Sequence, residues 1–214
     1  MRARETGLLI GTLFLALPAA GGDTQMNHLI YLHGRIIQEQ QDPRPQHPRF
    51  GHYELEKILD TFRARGFTVS GEIRPKAASV GGSADAVVAR VRELLESGVP
   101  PERITVLGGS MGGGIALVVS ARLQNPRLRF AVLGVCLSDN VRAIAAAGPA
   151  VSGQVLAIRE ASDDFTRDCA PWETSDEKSL VAREIVLNTG LEHGFLYQPL
   201  ADWVDPVLAW ARPE

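Results

Sequence analysis

The sequence lacks the features that mark several specialised classes of protein. It has only two cysteines and no paired C-x-x-C motif, which argues against a zinc site. Its 22 basic and 25 acidic side chains are mixed along the chain, with a net charge of −3, so no basic face suited to nucleic acid or anionic lipid is expected. No internal repeat and no interdomain linker is visible. The 214 residues, 45% of them apolar, therefore predict one domain with a single substantial core.

A long hydrophobic run is also missing, and the chain comes nearest to one at its N-terminus. Residues 7–17 form an apolar run that follows two arginines and is short for a membrane span of ~20 residues. Small residues come next, which completes the pattern of a secretory signal peptide. We therefore predict a signal peptide over residues 1–22, cleaved after Ala20 or Gly22. The remainder, 23–214, is expected to be exported, either secreted or periplasmic, with no stable membrane anchor; an uncleaved anchor or a buried first helix is the alternative.

The two cysteines could form a disulfide or remain separate thiols. In an oxidising compartment two thiols can pair. Cys136 lies in the apolar run 130–137, where a lone cysteine usually acts as a small core residue, whereas Cys169 lies in a polar loop. The sequence leaves both alternatives open.

Short β-branched apolar runs alternate with helical patterns through the rest of the chain, which is typical of a parallel sheet covered by helices. Six strands are predicted, at 28–33, 67–73, 104–107, 130–137, 155–159 and 184–188. Four helices are predicted, at 53–65, 84–97, 112–123 and 200–211. We expect a three-layer α/β/α sandwich around a mostly parallel sheet, with the active site at the carboxyl ends of the strands. Two loops, 35–52 and 162–179, are longer than a connection requires, and such loops are often functional.

The sharpest motif is the glycine-rich segment between the third predicted strand and the third predicted helix. It reads GGSMGGG over residues 108–114 and matches the G-x-S-x-G pattern. A serine on a tight strand-to-helix turn adopts strained backbone angles, and side chains two positions before and after it would collide with neighbouring backbone. Gly108 and Gly112 remove those side chains. The motif predicts that Ser110 is a nucleophile at a helix N-terminus, where developing negative charge is stabilised.

Other glycine-rich loops match this segment less well. A phosphate-binding P-loop requires Lys-Ser or Lys-Thr after its last glycine, but Ile115 follows Gly114. The dinucleotide fingerprint G-x-G-x-x-G finds no good match here. Glycines that only pack a helix against a strand remain an alternative. The predicted chemistry needs no cofactor and no metal.

A nucleophilic serine needs a base, because its hydroxyl is almost wholly protonated at neutral pH. His193 follows the last predicted strand, which places it at the same edge of the sheet as Ser110. A capping or surface histidine is the alternative interpretation. An acid that orients the imidazole is expected between the two in sequence, directly after a strand. Asp163 is preferred for this role, and Asp164 and Glu160 remain possible.

Together these motifs resemble the α/β-hydrolase superfamily. The residues that carry the resemblance are His33-Gly34, Gly108-x-Ser110-x-Gly112, Asp163 and His193-Gly194-Phe195. They cover nearly all of the predicted mature chain, and residues 193–197 are similar to the end of dienelactone-hydrolase-like and prolyl-oligopeptidase-like members. The resemblance implies an oxyanion hole formed by the backbone N–H groups of Met111 and Arg35. The chain departs from it in lacking the two opening strands of larger members and in having Glu160 where a glycine is frequent.

The function predicted from these residues is that of a serine hydrolase, most simply a carboxylesterase that forms an acyl-enzyme intermediate on Ser110. The only pattern between the fourth and fifth predicted strands is a short helical one at 141–147, which leaves little room for a lid. The pocket walls are expected from 35–52, 75–83 and 162–179, all polar, so a small or short-acyl ester is the expected partner. The alternatives are a catalytically silent binding protein with this fold, or a peptidase or acyltransferase with the same triad. The sequence does not predict the oligomeric state.

Overall fold

The computed structural model of the chain describes residues 25–172 and 179–213. The predicted signal peptide, residues 1–22, and the part of the second long loop at 173–178 lie outside the described residues. Within the described ranges, no helix is both long enough and apolar enough to cross a bilayer.

A six-stranded sheet forms the centre of the molecule. The strands of the chain are β1 (Asn27–Leu32), β2 (Gln46–His47), β3 (Gly51–His52), β4 (Phe67–Ser70), β5 (Ile104–Gly109), β6 (Arg129–Leu133), β7 (Gly153–Glu160) and β8 (Leu180–Leu187). The central sheet has the order β4-β1-β5-β6-β7-β8, and every neighbouring pair in it is parallel. Strands β2 and β3 form a separate antiparallel hairpin. The sheet is therefore wholly parallel rather than mostly parallel.

Helices cover both faces of this sheet. They are α1 (Arg35–Gln40), α2 (Leu55–Arg63), α3 (Val80–Glu96), α4 (Met111–Leu123), α5 (Leu137–Ala147) and α6 (Ala201–Trp210). Helices α1, α2 and α6 bury their apolar side chains in one core, and α3, α4 and α5 bury theirs in a second core on the opposite face. This confirms the predicted three-layer α/β/α sandwich.

Local sequence features explain the central elements. In β5, Ile104 and Val106 point into the core on the α4 side, whereas Leu107 points into the other core, as the two-residue period of a strand requires. Both faces are buried, which is why every residue of the strand except Thr105 is apolar. Helix α3 begins at a serine cap, because the Ser79 hydroxyl accepts a hydrogen bond from the N–H of Gly82 at 3.0 Å.

Several predicted boundaries are wrong by a few residues. The predicted strand 130–137 ends at Leu133, because Gly134 turns the chain with φ 64°. Cys136 therefore lies just before α5 and not in a strand, and α5 is longer than the pattern at 141–147 indicated. Strand β4 is shorter than predicted, and β8 begins four residues earlier. The predicted loop 35–52 contains helix α1 and the β2–β3 hairpin, elements too short to show a hydrophobic period.

Cys136 and Cys169 form a disulfide, with their Cα atoms 5.3 Å apart. The sequence had left this pairing open. The bond joins the segment that follows β7 to the residue before α5. It therefore tethers the middle of the loop in which Asp163 lies.

Candidate active site

The predicted catalytic side chains follow different strands of the parallel sheet. Ser110 comes directly after β5, Asp163 lies three residues after the end of β7, and His193 lies in the segment between β8 and α6. Arg35 begins α1, which follows β1. Because the carboxyl ends of parallel strands meet at one edge, the topology brings these four residues to the same edge of the sheet.

Ser110 lies on a strained turn between β5 and α4. Its backbone angles are φ 53° and ψ −120°, a region that non-glycine residues rarely occupy. The turn is fixed by the Ser110 N–H, which donates to the carbonyl oxygen of Leu133 at 2.8 Å. A Cβ on Gly112 would overlap the carbonyl oxygen of Leu32, and one on Gly108 would overlap the carbonyl of Gly112. The geometry of a nucleophile elbow therefore requires glycine at both positions.

His193 and Asp163 form a short hydrogen bond, with 2.7 Å between Nδ1 and Oδ2. The carboxylate of Asp163 is wholly buried, and it also accepts from the N–H of Phe165 at 2.9 Å and from the hydroxyl of Thr166 at 3.3 Å. Since a carboxylate only accepts, the imidazole proton lies on Nδ1. Nε2 of His193 is then left with a lone pair, as a general base requires.

The structure distinguishes the three acids that the sequence left open. Asp163 alone among them is bonded to His193. The side chain of Asp164 is 56% exposed and forms an ion pair with Arg167 at 2.7 Å. Glu160 is fully buried, but its oxygens accept hydrogen bonds from the segments on either side of the site rather than from His193.

Two residues beside His193 had no recognisable pattern in the sequence. The ring of Phe165 lies 4.8 Å from the imidazole, centroid to centroid, although the side chain is 73% exposed. Gly134 also approaches the imidazole, since a Cβ there would lie 3.1 Å from Cε1 of His193. The missing side chain leaves room for the ring. Neither neighbour could be found from the sequence, since both contacts join distant parts of the chain.

The two residues of the predicted oxyanion hole both begin helices. Met111 is the first residue of α4 and Arg35 is the first residue of α1, and both line the same cavity as Ser110. The first N–H groups of a helix have no partner within it. Gly34 brings the α1 loop against Ser110, since a Cβ there would lie 3.7 Å from the Cβ of Ser110. The arrangement can offer two backbone donors to a negatively charged oxygen.

His33 anchors this loop. Its Nε2 accepts the N–H of Arg74 at 3.0 Å, so its proton lies on Nδ1 and donates to the carbonyl oxygen of Gly34 at 2.8 Å. The guanidinium of Arg74 also donates to the His33 carbonyl oxygen at 2.6 Å. The pKa of His33 is lowered to about 4, chiefly by burial and also by the Arg74 charge, which together outweigh the bond to Gly34. The imidazole is therefore neutral at pH 7.

Ser110 and His193 line one open cavity of about 630 Å³. Aromatic rings form much of its wall: Tyr53 and Phe50 lie 5.0 and 5.6 Å from Tyr197, centroid to centroid. The sequence had predicted polar walls, so this expectation is wrong. Arg35, Glu39 and Gln46 of the predicted wall segment 35–52 line the cavity together with these rings.

The predicted wall segment 75–83 does not line this cavity. Pro75, Ala78 and Ser83 border a separate cavity of about 440 Å³ beside α3. The segment follows the edge strand β4, which is two strands away from the elbow. Among the residues described, no group of three or more His, Cys, Asp or Glu side chains could hold a metal ion.

The wholly parallel sheet, the strained serine turn after β5 and the acid and histidine after later strands define the α/β-hydrolase fold. A protein from Klebsiella pneumoniae subsp. pneumoniae named as a dienelactone hydrolase is similar at TM-score 0.54 and 14% identity, over 87% of this chain and 86% of that one. A protein of the alpha/beta hydrolase superfamily from Xanthomonas campestris pv. campestris is similar at TM-score 0.51 and 15% identity, over 86% and 99%. An arylesterase is similar at TM-score 0.52 and 15% identity, over 86% of this chain and 74% of that one. No family model and no curated protein sequence matches the chain.

Proposed function

We propose that the chain is a serine hydrolase that cleaves small carboxylic esters through an acyl-enzyme intermediate. The observation that carries this proposal is the elbow at Ser110, which shares a cavity with a histidine bonded to a buried carboxylate. Building this constellation requires a strained backbone angle and two glycines that cannot be replaced. The fold alone would need neither of them, and strain of this kind is concentrated at functional sites.

In the acylation step, Oγ of Ser110 attacks the ester carbonyl carbon while Nε2 of His193 takes the hydroxyl proton. Asp163 fixes the imidazole orientation and stabilises the imidazolium that forms. The carbonyl oxygen becomes negatively charged and accepts from the N–H groups of Met111 and Arg35. When the tetrahedral intermediate collapses, the bond to the alcohol oxygen breaks, and the imidazolium gives its proton to that oxygen.

Deacylation reverses these roles with water as the nucleophile. His193 removes a proton from water as the water oxygen attacks the acyl carbon, and the same two N–H groups receive the oxyanion. The bond to Oγ of Ser110 then breaks, and the proton returns to Oγ. The products are a carboxylic acid and an alcohol, and one water molecule is consumed for each ester cleaved.

The cavity favours short acyl groups. Helix α5 is the only helix between β6 and β7, and no larger insertion in the described residues covers the mouth. The aromatic wall offers flat apolar surface to a ring or a short chain, but not a long enclosed groove. Each methylene that is buried contributes about 0.8 kcal/mol, so carbons that extend past the wall gain little.

An ester chain-length series tests the proposal. The value of kcat/KM is expected to be highest for acetyl to hexanoyl aryl esters and to fall for dodecanoyl and longer ones, with Ser110→Ala as the blank. A maximum at long chains would contradict the open cavity. Hydrolysis of peptides or acyl transfer without ester hydrolysis would move the assignment to those classes, and inertness toward all of them would favour a silent binding protein.

We further propose that the protein is exported. The basic and then apolar pattern of residues 1–22 supports this, and so does the disulfide, because disulfides persist mainly in oxidising compartments. Mass spectrometry of the protein recovered from the periplasm or medium should give an N-terminus after Ala20 or Gly22. Full-length protein retained in the cytoplasm would contradict export.

A further inference from the structure

Glu160 is a buried carboxylate next to the proposed site that the triad does not use. It is the last residue of β7, and its side chain has no exposed surface. Burying a carboxylate is costly unless hydrogen bonds compensate for the lost water. Its partners therefore indicate what the residue does.

The partners of Glu160 come from the two segments that carry the acid and the base. Oε2 accepts from the N–H of Thr189 at 3.0 Å and from its hydroxyl at 2.8 Å, and Oε1 accepts from the N–H of Gly190 at 3.3 Å. These residues lie in the segment that leads to His193. On the other side, Oε1 accepts from the hydroxyl of Ser162 at 3.1 Å.

Ser162 continues this network to the residue next to the base. Its hydroxyl oxygen accepts from the N–H of Glu192 at 3.2 Å. Glu192 has a φ of 53°, which is rare for a residue other than glycine and needs support from its surroundings. The network therefore ends one residue before His193 on one side and one residue before Asp163 on the other.

We propose that Glu160 is a positioning residue that sets the His193–Asp163 hydrogen bond by binding both of the segments in which they lie. The inference rests on the proposed function, because it assigns a role within that catalytic site. The side chain of Glu160 contacts neither the His193 side chain nor the Asp163 side chain itself. It acts through Thr189, Gly190 and Ser162.

Only an ionised carboxylate satisfies these partners. All of the groups that face it donate, and a glutamine amide in its place would direct N–H donors against donors. Burial by itself raises the pKa of Glu160, but the hydrogen bonds from Thr189 and Ser162 outweigh it and hold the pKa below its usual range. The carboxylate is therefore ionised at neutral pH.

The test compares Glu160→Gln with a matched variant, Glu184→Gln. Glu184 is a second poorly exposed carboxylate, in β8 opposite Ala157, three residues before Glu160 in β7. Its 10% exposed side chain pairs with Arg159 at 3.3 Å and accepts from the N–H of Trp172 at 3.4 Å. Glu160→Gln should lower kcat for ester hydrolysis by about tenfold to a hundredfold, as small displacements of catalytic groups do, with KM changed far less. Glu184→Gln should leave both values near those of the wild type.

A spectroscopic measurement separates this inference from the proposed function. The proton between Nδ1 of His193 and Asp163 should give a low-field NMR resonance, assigned by its loss in His193→Ala. Without any substrate, this resonance should weaken or disappear in Glu160→Gln and persist in Glu184→Gln. That outcome would support positioning even if no ester were hydrolysed. An unchanged resonance and an unchanged kcat in Glu160→Gln would overturn it, and so would equal losses in the two variants.

A milder substitution covers the case in which Glu160→Gln does not fold. Thr189→Val keeps the shape of the side chain and removes the hydroxyl that donates to Oε2. It should lower kcat several-fold and broaden the same resonance, while circular dichroism remains that of the wild type. A folded Thr189→Val protein with wild-type kcat and resonance would contradict the positioning role.

Discussion

The two halves of the proposed active site are built by different means. On the nucleophile side, backbone geometry fixes Ser110, because β5, α4 and β1 approach so closely that only glycine fits at Gly108 and Gly112. On the acid–base side, interactions of side chains fix the two residues. Asp163 and His193 lie on segments joined by the buried carboxylate of Glu160 and by Arg49, which binds Glu192 at 2.6 Å and Asp164 at 3.9 Å. The disulfide ties the Asp163 segment to the start of α5.

This difference decides how each half should respond to substitution. In the half that depends on backbone packing, a substitution should destabilise the surrounding fold and abolish activity with it. A half that depends on side-chain hydrogen bonds should lose activity while the fold persists, since loops at a sheet edge contribute less to the core. Substitutions on the two sides can therefore separate loss of activity from loss of structure.

The largest expected effect is on the acid–base side. Asp163→Asn should lower kcat/KM by about 10³- to 10⁴-fold, because an amide can stabilise the wrong imidazole tautomer. Asp164→Asn is the matched control, since its exposed side chain pairs only with surface arginines, and it should stay within a few-fold of the wild type. Steady-state kinetics with an acetyl aryl ester would measure both. The opposite ranking would transfer the role to Asp164.

On the nucleophile side a smaller change in free energy is expected, and it should appear in the free energy of unfolding. Gly112→Ala would force a methyl group into the backbone of β1 and should destabilise the fold by more than about 3 kcal/mol. Gly114→Ala, in the same helix, meets no atom within 4 Å and should stabilise the protein by about 0.5–1 kcal/mol. Urea unfolding would measure both. A folded, active Gly112→Ala protein would refute the packing argument.

The nucleophile side could be predicted from the sequence because its signals are local. The elbow, its strand and its helix are contiguous, and the steric need for Gly108 and Gly112 follows from their spacing alone. The sheet was equally predictable, since buried parallel strands are continuous apolar runs. Chain order indicated His193 and the group of acids that includes Asp163.

The rest could not be predicted because it depends on contacts between distant residues. Choosing Asp163 over Asp164 and Glu160 required knowing which carboxylate faces the imidazole, and neighbouring acids look alike in sequence. The aromatic wall formed by Phe50 and Tyr197 joins segments nearly 150 positions apart, so no local pattern marks it.

The smallest expected effect concerns acid stability on the nucleophile side. His33 has a pKa of about 4 in the folded chain and about 6.5 when unfolded, so the unfolded state binds more protons between these values. The contribution of the neutral His33 to the free energy of unfolding should be complete above pH 6.5. It should fall by about 3 kcal/mol as the pH drops to 4. Urea unfolding across this range should show a larger loss of stability in the wild type and in His52→Gln than in His33→Gln, with the difference near this value. An equal loss in His33→Gln would assign it to other groups.

The central claim is that Ser110 is a nucleophile activated by the His193–Asp163 pair. The most direct test is covalent labelling with a fluorophosphonate, followed by intact-mass measurement and peptide mapping. One adduct per chain is expected, on the peptide that contains Ser110, with no adduct in Ser110→Ala and labelling slowed by orders of magnitude in His193→Ala. Labelling at another residue, or at an undiminished rate in His193→Ala, would contradict the account.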